Sequence, residues 1–151
     1  MSTPLNRSKK NLPLKILLIE DSPSDALLLN AKLQEVTEFI FDMEHVSSLA
    51  LGIERASNDF FDAVILDLSL PDSFGIATYD QLRELIEETI PIIIVTGSED
   101  RDLLSEALQQ GADNYLVKDS FDGNRMAVAI LSAMRNRSNK VDTLQQQVLE
   151  Q

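Results

Sequence analysis

Three apolar runs stand out along the chain: Ile16–Ile19, Ala63–Leu66 and Ile90–Val95. Each is too short for a buried helix and is apolar at consecutive positions. That pattern suits strands of a parallel sheet covered on both faces. Two weaker segments complete a set of five strands. Phe39–Val46 alternates loosely, and Asn114–Val117 is short. Between them the apolar spacing changes to that of helices. Ala26, Leu27, Leu29, Leu33 and Val36 follow Ser22-Pro23, an N-cap with proline behind it. Ser47 or Ser48 opens a helix to about Asn58, and Ile76–Glu88 carries Leu82, Leu85 and Ile86 on one face. Ser98 is placed to cap a helix through Gln110, which Gly111 stops, and a last helix starts near Asp122 and passes Met134. Leu70-Pro71-Asp72-Ser73-Phe74-Gly75 has the chemistry of a turn. Five strands alternating with five helices predict an α/β fold with a parallel sheet and right-handed crossovers.

Composition narrows the function. The 151 residues suit one domain, and a hydrophobic share of 44% separates the chain from disordered sequences. No cysteine is present, which removes disulfides, thiolate zinc sites and thiol catalysis; a single histidine removes multi-histidine metal sites. The net charge of −12 is unevenly spread. Residues 16–134 hold six bases against 23 acids, while residues 1–15 hold four bases and no acid. So acidic a body repels a phosphate backbone, so nucleic acid is not an expected partner. No apolar run approaches the roughly 20 residues that span a bilayer, and the N-terminus lacks a signal-peptide core. A cytoplasmic location is the expectation.

Open parallel sheets build their sites beyond the carboxyl ends of the strands. Glu20 and Asp21 follow the first strand, Asp67 ends the third, Thr96 the fourth and Lys118 the fifth. Singly, each has a plainer reading: a solvated helix start, a turn former, a cap, a surface charge. Together they form one rim, with three carboxylates that need a counter-charge. Mg²⁺ takes hard oxygen ligands of this kind. A carboxylate nucleophile, a lysine and a hydroxyl donor match the needs of phosphoryl transfer.

The segments Lys15–Asp25, Val64–Gly75, Ile92–Ser98 and Tyr115–Lys118 resemble the motifs of the receiver domain of two-component response regulators. The resemblance covers about residues 15–136. It implies a flavodoxin-like, doubly wound, five-stranded parallel sheet of order 2-1-3-4-5 with five helices in three layers. It implies a phosphoacceptor at Asp67, charged by a histidine kinase or phosphotransfer protein. Mg²⁺ would be held by Glu20, Asp21, Asp67 and the backbone carbonyl of Ser69. Lys118 would pair with the phosphoryl group, with Thr96 and Tyr115 as the coupled switch pair. Such a domain is a signalling module and not a turnover enzyme. One departure stands at Asp119, where the family often has proline; the Lys118–Asp119 bond is expected to be trans with a rearranged loop, or a strained cis bond. Two other readings compete. One is an interaction module that has lost phosphorylation. The other is a Mg²⁺-dependent phosphohydrolase, which would want an acid where Ser69 stands.

The expected organisation is an arm at 1–14, the receiver at 15–136 and a helical extension at 137–151. Ala127, Met134, Val141 and Val148 are spaced by seven, as are Ile130, Arg137, Leu144 and Gln151. This imperfect heptad reads as a frayed helix end, or as a connector that pairs with a second copy or leads to an output module beyond Gln151.

Overall fold

The computed structural model describes residues 12–97 and 100–150, with Val141 and 143–150 described as backbone only. Ser98, Gln151 and most of the expected arm lie outside the described residues. The elements are β1 (Leu14–Ile19), α1 (Pro23–Gln34), β2 (Phe41–Val46), α2 (Leu49–Asn58), β3 (Ala63–Asp67), α3 (Ile76–Leu85), β4 (Ile92–Thr96), α4 (Arg101–Gln109), β5 (Asn114–Val117) and α5 (Gly123–Glu150). The five strands form one sheet of order β2-β1-β3-β4-β5, every pair parallel. This is the expected flavodoxin-like topology.

Every residue of β3 and β4 is buried, which is why these strands are apolar at consecutive positions. The period of two still sorts them. Ile16, Leu18, Ile65, Ile93 and Val95 face one layer, where Ala26, Leu29 and Leu33 of α1 and Met126, Ile130 and Ala133 of α5 cover them. Leu17, Ile19, Val64, Leu66, Ile92 and Ile94 face the other, under α2, α3 and α4. The sheet therefore separates two cores.

The strand β1 begins at Leu14, one residue earlier than expected. Its N–H donates to the Ile40 carbonyl at 2.8 Å and its side chain is buried, so Leu14 belongs to the sheet and not to an arm. The Ser22 hydroxyl caps α1, accepting from the Asp25 N–H at 3.3 Å, and Ser48 caps α2 from Leu51 N–H at 3.2 Å. α3 stops at Leu85, short of Glu88. The Arg83 guanidinium donates to the carbonyls of Glu87 and Ile90 and shapes the turn that follows. α4 starts at Arg101 and ends where Gly111 adopts φ +113°, a left-handed value that favours glycine.

The α5 helix continues without a break into the expected extension, as far as Glu150. Arg137 Nε donates to Asp113 Oδ1 at 3.1 Å and Lys140 Nζ reaches the same oxygen at 3.2 Å. Arg137 is thus spent inside the domain. Ala127 and Ile130 are also core residues, so this part of the heptad records the inner face of α5. Val141, Leu144 and Val148 have no described side chains.

α5 begins tightly against α1. A Cβ on Gly123 would lie 2.1 Å from the Lys32 carbonyl oxygen, which is backbone and cannot step aside. Lys32 Nζ meanwhile donates to the Phe121 carbonyl at 3.1 Å and lies over the Phe121 ring. Gly123→Ala must push the two helices apart and is expected to cost about 2 kcal/mol. A urea melt showing an unchanged midpoint would contradict this.

Candidate functional site

Parallel register builds the site. Ile19 pairs with Leu66 and Asp67 with Val95, so the chain leaving β1 runs beside the end of β3, with β4 on its other side. Lys118 follows β5, and its N–H donates to the Thr96 carbonyl at 2.8 Å. All five strand-end residues expected from the sequence reach this one rim.

Ligand oxygens of Glu20, Asp21 and Asp67 lie within 4.8 Å of one another. Glu20 and Asp67 are buried, and Asp21 is exposed at the mouth. Asp67 Oδ1 accepts from the Ser69 N–H at 3.0 Å, and Asp67 Oδ2 accepts from Lys118 Nζ at 3.2 Å. Glu20 Oε2 accepts from the Ser22 N–H at 3.2 Å. Glu20 Oε1 sits 2.8 Å from Lys118 Nζ, yet it is off the direction of a hydrogen bond and has no other donor. The contact is a charge pair that leaves a carboxylate oxygen incompletely satisfied. Burial first, and then Asp67 beside it, push the Glu20 carboxyl up to about 7. An incompletely satisfied buried oxygen within a convergent acidic trio is what a hard divalent cation would complete, so the residues fit Mg²⁺.

Lys118 also binds a third carboxylate, from outside the trio, Asp25 Oδ2 at 3.1 Å. Burial works against the ammonium charge, but Glu20, Asp67 and Asp25 outweigh it and hold its pKa above the ordinary lysine range. Thr96 is buried, and its hydroxyl donates to Asp100 Oδ2 at 3.3 Å. Tyr115 is half-buried against the core under α2, α3 and α4. Asp119 is exposed with φ +69°, and no described peptide bond is cis. Of the two expected states of the Lys118–Asp119 bond, the trans one is present. Ser69 and Phe74 form an isolated bridge that closes the turn beyond Asp67. Asp72 ties this turn to α2, accepting from the N–H groups of Leu49 and Ala50 at 3.0 Å each.

Two residues of the site were not singled out from the sequence, Asp25 and Asp100. Asp25 stands in the first turn of α1, three residues after the Ser22 N-cap, where an acid reads simply as a complement to the helix dipole. Asp100 looked like part of a helix start. It stands at the N-cap position, but its carboxylate faces Thr96.

Residues 16–131 match the response regulator receiver domain family. The chain belongs to that family. The receiver is 32% identical over 126 residues to the response regulator ArlR of Staphylococcus saprophyticus, an alignment spanning 83% of this chain and 54% of that protein. It is 28% identical to the transcriptional activator protein IrlR of Burkholderia pseudomallei, over 87% of this chain and 55% of that one. The chain thus spans about half the length of these curated relatives. Among solved structures, it superposes on a CheY-like receiver domain protein from Methanospirillum hungatei with TM-score 0.70 at 20% identity, covering 85% of this chain and 98% of that one. The receiver domain of a sensor histidine kinase from Pseudomonas aeruginosa, with a magnesium ion coordinated in its active-site cleft, gives TM-score 0.68 at 23% identity, covering 81% and 98%. At these identities the structural likeness establishes the receiver fold. No helix among the described residues is long and apolar enough to cross a membrane.

Proposed function

We propose that this receiver accepts a phosphoryl group on Asp67 from a histidine kinase or phosphotransfer protein. The observation that carries the reading is the Asp67 carboxylate itself: buried at the end of the central strand, fixed by the Ser69 N–H and Lys118 Nζ, and part of the acidic trio. One Asp67 oxygen forms a bond to phosphorus while the donor's P–N bond breaks. The electron pair leaves on the imidazole nitrogen, which takes up a proton. Glu20, Asp21, Asp67 and the Ser69 carbonyl are the residues that would hold Mg²⁺, which when bound offsets the charge of the phosphoryl oxygens. Lys118 pairs with one of those oxygens. Thr96 exchanges Asp100 for the phosphoryl group, and Tyr115 moves inward behind it. The added charge, about −1.5 to −2, biases the surface around β5. The domain assists its own phosphorylation and dephosphorylation and turns over no other substrate. It works in the cytoplasm, passing its state to an output partner.

Acetyl phosphate with MgCl₂, followed by peptide mass spectrometry, tests this. One phosphoryl group is expected on the peptide bearing Asp67, and none when EDTA replaces the metal. Absence of label with Mg²⁺ would favour a pure interaction module.

A further inference from the structure

The role of Asp25 goes beyond the strand-end set, and it rests on the phosphoacceptor reading of Asp67. An ammonium has three N–H donors. Two of them in Lys118 are directed at Asp67 Oδ2 (3.2 Å) and Asp25 Oδ2 (3.1 Å), and the Glu20 contact is off-axis. Glu20 and Asp67 belong to the trio whose oxygens converge. Both are committed elsewhere once a cation and a phosphoryl group arrive. When an Asp67 oxygen becomes the bridging oxygen of an acyl phosphate, that carboxylate no longer holds the lysine as an anion. Asp25 stands outside the trio. It sits in the first turn of α1, where its N–H is fixed by the Ser22 hydroxyl.

Lys118 also has somewhere else to go. A cleft of about 70 Å³ opens on its outer side, lined by Asp25, Leu28, Lys32, Asp119 and Phe121. The Lys118 side chain remains 23% exposed. A lysine stem is flexible, and a mobile ammonium beside an open cleft is a poorly placed counter-charge. Asp119, exposed and next in sequence, offers a second anion in that cleft.

We infer that Asp25 is a positioning residue for phosphoryl transfer: its hydrogen bond anchors the Lys118 ammonium at the edge of the cleft, within reach of Asp67, and keeps it from turning toward Asp119. The ordering of Lys118 is then complete before the donor arrives, which is where such a tether acts on rate. With acetyl phosphate as donor, the new bond joins an Asp67 oxygen to phosphorus, the donor's P–O bond breaks, and the electron pair leaves with acetate.

The test measures labelling of Asp67 by acetyl phosphate with MgCl₂ in the intact chain, as a function of donor concentration. Asp25→Asn keeps the shape and removes the charge. It should slow the maximal rate about tenfold while leaving Mg²⁺ affinity and the KM for acetyl phosphate near those of the unsubstituted protein. Asp25→Glu should recover part of the rate. In a Lys118→Ala background, Asp25→Asn should have no further effect, because its action passes through the lysine. If Asp25→Asn lowers the thermal midpoint, Asp25→Ser carries the same comparison. An unchanged rate, or an equal slowing in the Lys118→Ala background, overturns the inference and leaves Asp67 as acceptor. No labelling of the unsubstituted protein overturns the phosphoacceptor reading, and this inference with it.

Discussion

Asp67→Asn is expected to abolish phosphoryl incorporation while making the metal-free domain more stable. The first effect follows from chemistry. A carboxamide lacks the anionic oxygen that attacks phosphorus, and no other described carboxylate is held by both the Ser69 N–H and Lys118 Nζ. Labelling should fall to background under conditions that charge the unsubstituted protein. The second effect follows from electrostatics. Asp67 shares its space with Glu20 and Asp21, and it raises the Glu20 pKa by hydrogen bond and by charge. Removing one negative charge lets the Glu20 pKa fall back toward the ordinary carboxylate range. Lys118 keeps Glu20 and Asp25 as anionic neighbours. Relief of the like-charge repulsion should contribute about 1 kcal/mol in metal-free buffer. Calorimetry in EDTA would read it as a higher midpoint, and a lower midpoint would count against a strained acidic trio.

Asp113→Ala should have the largest effect on stability. Asp113 lies at the opposite end of the sheet from Asp67, with a side chain fully withdrawn from solvent. Its Oδ2 accepts from the Ile92 N–H at 2.9 Å, and its Oδ1 receives Arg137 and Lys140. One residue therefore closes the entry to β4 and pins the middle of α5. Deleting it leaves a buried N–H without an acceptor and a mostly buried guanidinium without its anion. Lys140, 43% exposed, rehydrates at little cost. The loss should be about 3 kcal/mol, or roughly 10 °C in Tm. Asp113→Asn, which keeps an acceptor for Ile92, should lose less. Hydrogen exchange separates the two contributions: both variants should speed exchange along residues 134–140, and only the alanine should speed it at Ile92.

Most of the fold and much of the site can be read from the chain because both are written at strand ends. A buried parallel strand announces itself by consecutive apolar residues, and the first polar residue after it falls on the rim. Glu20, Asp67, Thr96 and Lys118 are all such residues. What cannot be read that way is whatever a helix start or a long side chain reaches. Asp25 and Asp100 sit near the starts of α1 and α4, and their direction depends on how the preceding loops cross the rim. α3 ends early where Arg83 binds the carbonyls of Glu87 and Ile90 just beyond it, a side-chain contact that apolar spacing does not register. Arg137 looked like a flaw in a heptad, since nothing nearby in sequence reveals that Asp113 is its partner.

The two cores on either side of the sheet have a thermodynamic consequence. Ile65 and Leu66 are neighbours in sequence, yet one packs under α1 and α5 and the other under α2, α3 and α4. Ile65 and Ile93, on adjacent strands, share one core and stand at the same level of the sheet. Truncations at 65 and 66 should therefore add independently, while truncations at 65 and 93 should show an interaction energy, because the two cavities can merge and collapse together. Coupling in this domain then follows the pleat: residues two apart in a strand share a fate, and residues one apart do not.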